Sequence, residues 1–202
     1  MNDPMIVDLF VEDRAHEEFL KPLIHRIARE EDVSVTIRIR SARGGHGRAI
    51  SEYKLYQKLL EKKLIDEVPP EIIVVAIDAN CQTFKKMESE ILSKTEDLFR
   101  DCIVIACPDP HVERWYLADP QSFCQVVGFL PSFQSKKCKR DYYKNVLVQS
   151  IQKANVPVNL CGIEFASQLS EAMDMYRAGK NQPSLRSFID TLREKIRQIA
   201  RR

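Results

Sequence analysis

Two carboxylates hold the positions in this sequence where chemistry is most readily built. Asp78 closes the apolar run Ile72-Ile73-Val74-Val75-Ala76-Ile77, and Glu12 follows the apolar stretch Met5 to Val11. Runs of this kind have the composition of strands buried on both faces. Open α/β sheets bind ligands at the carboxyl ends of their parallel strands. If the two strands are neighbours, Glu12 and Asp78 converge on one rim, close enough to share a divalent ion. Oxygen ligands with open positions suit Mg²⁺ or Mn²⁺. Such an ion serves phosphoryl transfer by stabilising charge on the phosphate and activating water. Asn80 points the same way as Asp78 if the backbone stays extended, offering a weaker, neutral oxygen. Glu17, one helical turn after Asp13, is a further candidate ligand. Glu113 opens a helix just beyond a third buried strand, Cys102 to Cys107, and is a candidate for the same edge. The plainer reading is that Asp13 and Asp78 cap the helices that follow them. Glu17 is then an exposed charge at a helix start.

Two basic stretches qualify as contacts for a nucleic-acid backbone. Ser41 to Arg48 holds three of the six glycines, with Arg43, His46 and Arg48 among them. Glycines let backbone N–H groups approach an anion, and arginine supplies bidentate donors. The loop matches neither GxxxxGK[ST] nor GxGxxG, so it makes no case for nucleotide binding. The second stretch sets Lys136, Lys137, Lys139, Arg140 and Lys144 beside Tyr142 and Tyr143, a mixture that suits phosphate contact with base stacking. Solvated surface is the plain alternative for both. His16, His46 and His111 are possible proton carriers, although isolated histidines usually serve neither as ligand nor as base.

The elements that must position these groups follow from periodicity. Residues 5–11, 33–39, 72–77 and 102–107 read as strands, the second alternating polar and apolar as an edge strand does. Helical stripes cover 14–29, 49–64 and 83–100, with Leu98 inward and a kink at Pro22. Asp109 followed by Pro110 reads as an N-cap and first helical residue. Residues 121–145 are loop-rich. A helix over 164–178 ends at Gly179, and Ser184 caps a last one. Alternating strands and helices predict an α/β fold, a parallel or mixed sheet covered by helices. Residues 1–120 form its core, and 121–202 add a basic loop region and C-terminal helices that pack on it.

The chain has 202 residues, enough for one domain with a substantial core. Its formal charge of +2 decides nothing about partners. No apolar run approaches the roughly 18 residues of a membrane span, and the first residues do not resemble a signal peptide. The six cysteines form no CxxC pair and do not group with the four histidines, which argues against structural zinc and for reduced thiols in a cytoplasmic protein.

Val11-Glu12-Asp13-Arg14-Ala15-His16-Glu17-Glu18-Phe19-Leu20 resembles the first motif of the TOPRIM superfamily, VEGxTEExFL. Ile77-Asp78-Ala79-Asn80 resembles its DxD motif at a strand end. Pro108 to Asp119 is similar to a segment of small stand-alone TOPRIM proteins and of OLD-type nucleases. The resemblance spans roughly residues 5 to 120. It implies a TOPRIM-like (Rossmann-like) core with a Mg²⁺ site, in which Glu12 is acid/base or ligand and Asp78 a ligand. It implies a nuclease acting on DNA or RNA, a possible homodimer, and an ATPase partner in anti-phage defence. Asp13, His16 and Asn80 depart from the motifs, and the last two remove anionic ligands. The alternative is a module that keeps the fold, lacks the chemistry, and binds nucleic acid or a protein.

Overall fold

The computed structural model describes residues 3–42, 45–65 and 67–201. Four strands form one parallel sheet, β1 (Met5–Val11), β2 (Val35–Ser41), β3 (Ile72–Ala76) and β4 (Ile103–Ala106), in the order β2-β1-β3-β4. From β1 the chain moves outward to β2, then returns past β1 to β3 and continues to β4. The connections therefore reverse direction between β1 and β3. Parallel α/β sheets open a crevice at such a reversal, beyond the carboxyl ends of the strands.

Side-chain alternation divides the core in two. Val7, Leu9 and Val11 of β1 and Ile72, Val74 and Ala76 of β3 face one side. There they meet α1 (Arg14–Glu30), α4 (Val112–Tyr116) and α9 (Pro183–Ala200), with α5 (Pro120–Val127), α6 (Tyr142–Lys153), α7 (Ala166–Ala172) and α8 (Met175–Asn181) packed around them. Phe10, Ile73 and Val75 face α2 (His46–Glu61) and α3 (Phe84–Ser93). Residues 121–202 thus share a core with the sheet and close one of its faces.

α1 buries Phe19, Leu20, Leu23, Ile24 and Ile27 completely. Each such side chain contributes about 1.5–3 kcal/mol, enough to carry the helix through Pro22, which lies inside it. The far end of α1 is fastened to the C-terminal helices. Arg26 Nη1 donates to the carbonyls of Ser170, Glu171 and Met173 at 2.8–3.0 Å. Arg193 pairs with Glu30, and Arg197 binds Glu31 through two nitrogens at 2.6 and 2.8 Å.

Several expected boundaries move. The helix expected over 83–100 stops at Ser93 and gives way to a single 3₁₀ turn, Asp97–Phe99. That turn buries Phe99 and leaves Leu98 exposed. Asp109 does not cap the helix that follows it; His111 stands at the N-cap of α4. The Asp109 carboxylate instead accepts from Phe84 N–H at 3.2 Å and Lys137 Nζ at 2.7 Å. Residues 164–178 break into a 3₁₀ turn, α7 and α8, with Gly179 inside α8. Gly179 there sets the distance to α9, since a Cβ would lie 3.1 Å from Arg186 Cβ. Ser184 sits in the first turn of α9, where its Oγ accepts from buried Trp115 Nε1 at 2.9 Å.

Candidate active site

The sheet carries Glu12 and Asp78 to the same rim. Glu12 N–H extends the ladder to Ala76 O at 3.1 Å, and Glu12 Oε2 accepts from Asp78 N–H at 3.2 Å. Past β3 the backbone keeps pairing with the next segment, Ala79 N–H to Pro108 O and Asn80 N–H to Pro110 O at 2.8 and 2.9 Å. This brings residues 108–113 alongside Asp78.

Asp78 is enclosed by two imidazoles. Its Oδ1 is 3.1 Å from His16 Nε2, and its Oδ2 is 3.2 Å from His111 Nδ1. His16 is fully buried, and its Nδ1 lies 2.8 Å from Asp13 Oδ1. Asp13 also N-caps α1, accepting from His16 N–H at 3.1 Å. Ionised carboxylates only accept, so a ring held between two of them donates from both nitrogens and carries a charge. Burial alone would depress the His16 pKa, but the Asp78 charge and the bond to Asp13 outweigh it and lift it well above the usual histidine range. Burial would raise Asp78 and Asp13. The charge of His16 dominates for Asp78 and holds it low. Hydrogen bonding to the His16 ring does the same for Asp13, down to about 2.

The other groups are biased the opposite way. Burial, then the Asp78 charge, raises both Glu12 and Glu113 above the usual carboxylate range. His111 is raised chiefly by its hydrogen bond to Asp78. His111 keeps a quarter of its side chain exposed, against 14% for Asp78 and none for His16. Of the ring pair, His111 is the one open to a ligand. A cleft of about 440 Å³ opens over this cluster. Asp13, Asp78, His111 and Glu113 form one part of it, with Asn80 and Cys81 beside them, and Cys138, Arg140, Asp141 and Lys144 form the rest.

This DUF4276 chain is identified by its match, over residues 11–193, to a family described as a domain of unknown function. It belongs to that family. The matched stretch holds every side chain of the cluster. No curated protein and no solved structure matches the DUF4276 chain.

The remaining candidates are placed as follows. Glu17 lies over a different hollow, with Glu18, Lys21 and His25. Asn80 lines the cleft, but the backbone does not stay extended: it turns left-handed there, φ 52°, and the amide Nδ2 donates to Asp78 O at 3.2 Å. Arg140 and Lys144 stand on the cleft wall. Lys137 is paired with Asp109, and Lys139 lies against the Tyr142 ring at 5.7 Å. Tyr143 is core rather than a stacking surface, fully buried, with its hydroxyl accepting from Lys136 N–H. His46 faces Glu90, Arg48 is bonded to Glu52 on its own helix, and neither lines the cleft. Arg43 lies outside the described residues.

The side chains as arranged do not fit a bound Mg²⁺ or Mn²⁺. Both Asp78 oxygens face imidazole nitrogens, and Glu12 is turned to a backbone N–H. Among the described residues no three His, Cys, Asp or Glu side chains form a group that could hold a metal ion. What the cluster offers directly is acid–base chemistry: a partly open imidazole oriented by a carboxylate, beside carboxyls biased toward keeping a proton. No helix among the described residues is long and apolar enough to cross a membrane.

Proposed function

We propose that this DUF4276 protein is a TOPRIM-like nuclease that hydrolyses phosphodiester bonds of DNA or RNA in this cleft. The observation that carries the reading is the meeting of Asp78, His111, Glu12 and Glu113 at the reversal point of the sheet, beneath a wall bearing Arg140 and Lys144. The two cations hold the phosphate by charge. Asp78 holds His111 through Nδ1, so that Nε2 exchanges a proton with the ester oxygen or the attacking water. Glu113, reluctant to ionise, is the second proton carrier. His16 keeps Asp78 in place from behind. An ATPase partner that restrains or releases the activity, and a homodimeric state, belong to the same proposal.

The Mg²⁺ or Mn²⁺ dependence implied by the TOPRIM resemblance would require Asp78 to give up an imidazole. The test is incubation with plasmid, single strands and transfer RNA under three conditions: Mg²⁺, Mn²⁺ and chelator. Wild-type protein is expected to cut at least one substrate, and Asp78→Asn and His111→Gln to lose that cutting while remaining folded. Cutting that survives in both variants rejects the site.

A second reading, a module that binds nucleic acid or a protein without cutting, is favoured by the engagement of both Asp78 oxygens and by the amide at position 80. It predicts nucleic-acid binding weakened by Lys144→Ala, with no cleavage under any of the three conditions.

A further inference from the structure

Two cysteines meet at the cleft. Cys81 follows Asn80 in the loop after β3, and Cys138 lies in the loop before α6. Both are free and exposed, and both line the cleft. Cys138 Sγ donates to the Cys81 carbonyl oxygen at 3.9 Å, which places the second thiol against the backbone of the first. Cys161 is also free and exposed but does not line the cleft. The loop carrying Cys138 holds left-handed backbone at Cys138 and Asp141, φ 61° and 55°. Non-glycine residues adopt this conformation at a cost, so the turn bringing the second thiol to the first is held by its surroundings.

We propose that Cys81 and Cys138 are a modification site for peroxides, which join them as a disulfide across the cleft mouth. One thiolate attacks a peroxide oxygen, the O–O bond breaks, and the leaving oxygen departs as water after taking a proton. The resulting sulfenic acid is attacked by the other thiolate: an S–S bond forms, the S–O bond breaks, and a second water leaves. Two thiols lose two electrons and two protons, and one hydrogen peroxide becomes two waters. The link ties the β3–α3 loop, which carries Asp78, to the segment bearing Arg140 and Lys144. A disulfide requires its two Cα atoms within about 7 Å, so the mouth is held narrow while it lasts. Thiol reductants reverse it, as befits a transient bond in a reducing compartment. Formation of the bond is independent of the nuclease reading; its effect on cutting rests on that reading.

The experiment treats folded protein with equimolar hydrogen peroxide, blocks remaining thiols with N-ethylmaleimide, and maps peptides by mass spectrometry. The expected result is one Cys81–Cys138 link with Cys161 still alkylated, and loss of the link in C81S and in C138S. Both positions are exposed, so the variants keep the fold. A link through Cys161, or sulfinic acid accumulating on both residues without a link, overturns the site. In parallel, cutting by the oxidised protein is expected to fall about tenfold or more, the scale on which a misplaced substrate contact acts. It should recover with dithiothreitol and stay unchanged in peroxide-treated C138S. A link with undiminished cutting overturns the gating. A link in a protein that never cuts leaves the site standing and sinks the nuclease reading instead.

Discussion

Two aspartates stand close to this sheet, one within a strand and one just past a strand end, and their difference separates framework from chemistry. Asp8 sits mid-way along β1, fully buried on the α2 face. It pairs with Arg38, with Arg40 at 3.4 Å, and with the Tyr56 hydroxyl, while Glu67 joins both arginines from the exposed side. Guanidinium does not lose its proton in proteins. Burial, then the bond to Asp8, pushes the Tyr56 phenol far above its usual range. Tyr56 therefore stays a neutral donor near neutrality. Asp78 stands past a strand end, at a cleft, between two imidazoles, the side chains whose charge does change there. The same carboxylate is a fastening in one place and a proton-handling group in the other, decided by its partners and by access.

The contrast can be broken outright by exchanging the two residues' effects. Asp78→Asn should cut the cleavage rate by about 100-fold or more, the scale of a lost acid–base unit, and should also lower the urea midpoint, since His16 then keeps only Asp13 as counter-charge. Asp8→Asn should do the reverse, costing about 2–3 kcal/mol of stability, because Arg38, Arg40 and the buried Tyr56 hydroxyl lose their charged acceptor and only Glu67 is left to the arginines, with cutting per folded molecule unchanged. An inactive but stable Asp8→Asn would dissolve the distinction.

His16→Gln probes the hidden half of the cluster. Removing its charge leaves Asp78 and Asp13 facing each other, and about 2–3 kcal/mol of stability should go, measured by chemical denaturation. If stability does not change, His16 is not the charge that balances the two acids.

A pH series sharpens the same point. The His16 pKa is raised by folding, so its stabilisation is complete below about pH 6.5 and is lost as pH rises through the higher folded value. The pKa values of Asp13 and Asp78 are lowered, so theirs is complete above about pH 4 and is lost as pH falls through the lower folded values, about 2 for Asp13. Glu12 and Glu113 are raised and reduce stability somewhat as they ionise above about pH 4.5. Melting temperature should therefore decline on both sides of the interval between about pH 4 and 6.5. The alkaline decline should flatten in His16→Gln and persist in Asp8→Asn. The smallest effect is at the surface. Lys144→Ala should weaken nucleic-acid binding a few-fold and reduce its salt slope by about one, while Arg48→Ala, already paired with Glu52, changes neither.

The strands and the two acids at their ends were legible because β1 and β3 are buried on both faces, and burial of that kind writes itself as the unbroken Ile, Val and Ala of β3 and as the Met, Ile, Val, Leu and Phe that surround Asp8 in β1. The convergence of Glu12 and Asp78 then followed from adjacency of the strands. The histidines were not legible as partners. His16 looks like any polar residue in a first helical turn, and only the contact between α1 and the β3 end shows it fully buried. Spacing held a hint, since His16 is three residues after Asp13 and four after Glu12, on the helix side that meets the sheet. Asp109 and Ser184 are good capping residues engaged by tertiary partners, Phe84 and Lys137 for one and Trp115 for the other. The break between α7 and α8 is not written in periodicity either; Arg26 reaches in from α1 to bind the carbonyls exposed there.

α1 behaves as a rod with unlike ends. One end delivers the imidazole behind Asp78, and the other is tethered through Arg26, Glu30 and Glu31 to the C-terminal helices. Damage to the last helix, or a protein gripping it, would be transmitted along that rod and register first as a misaligned ring rather than as a melted sheet.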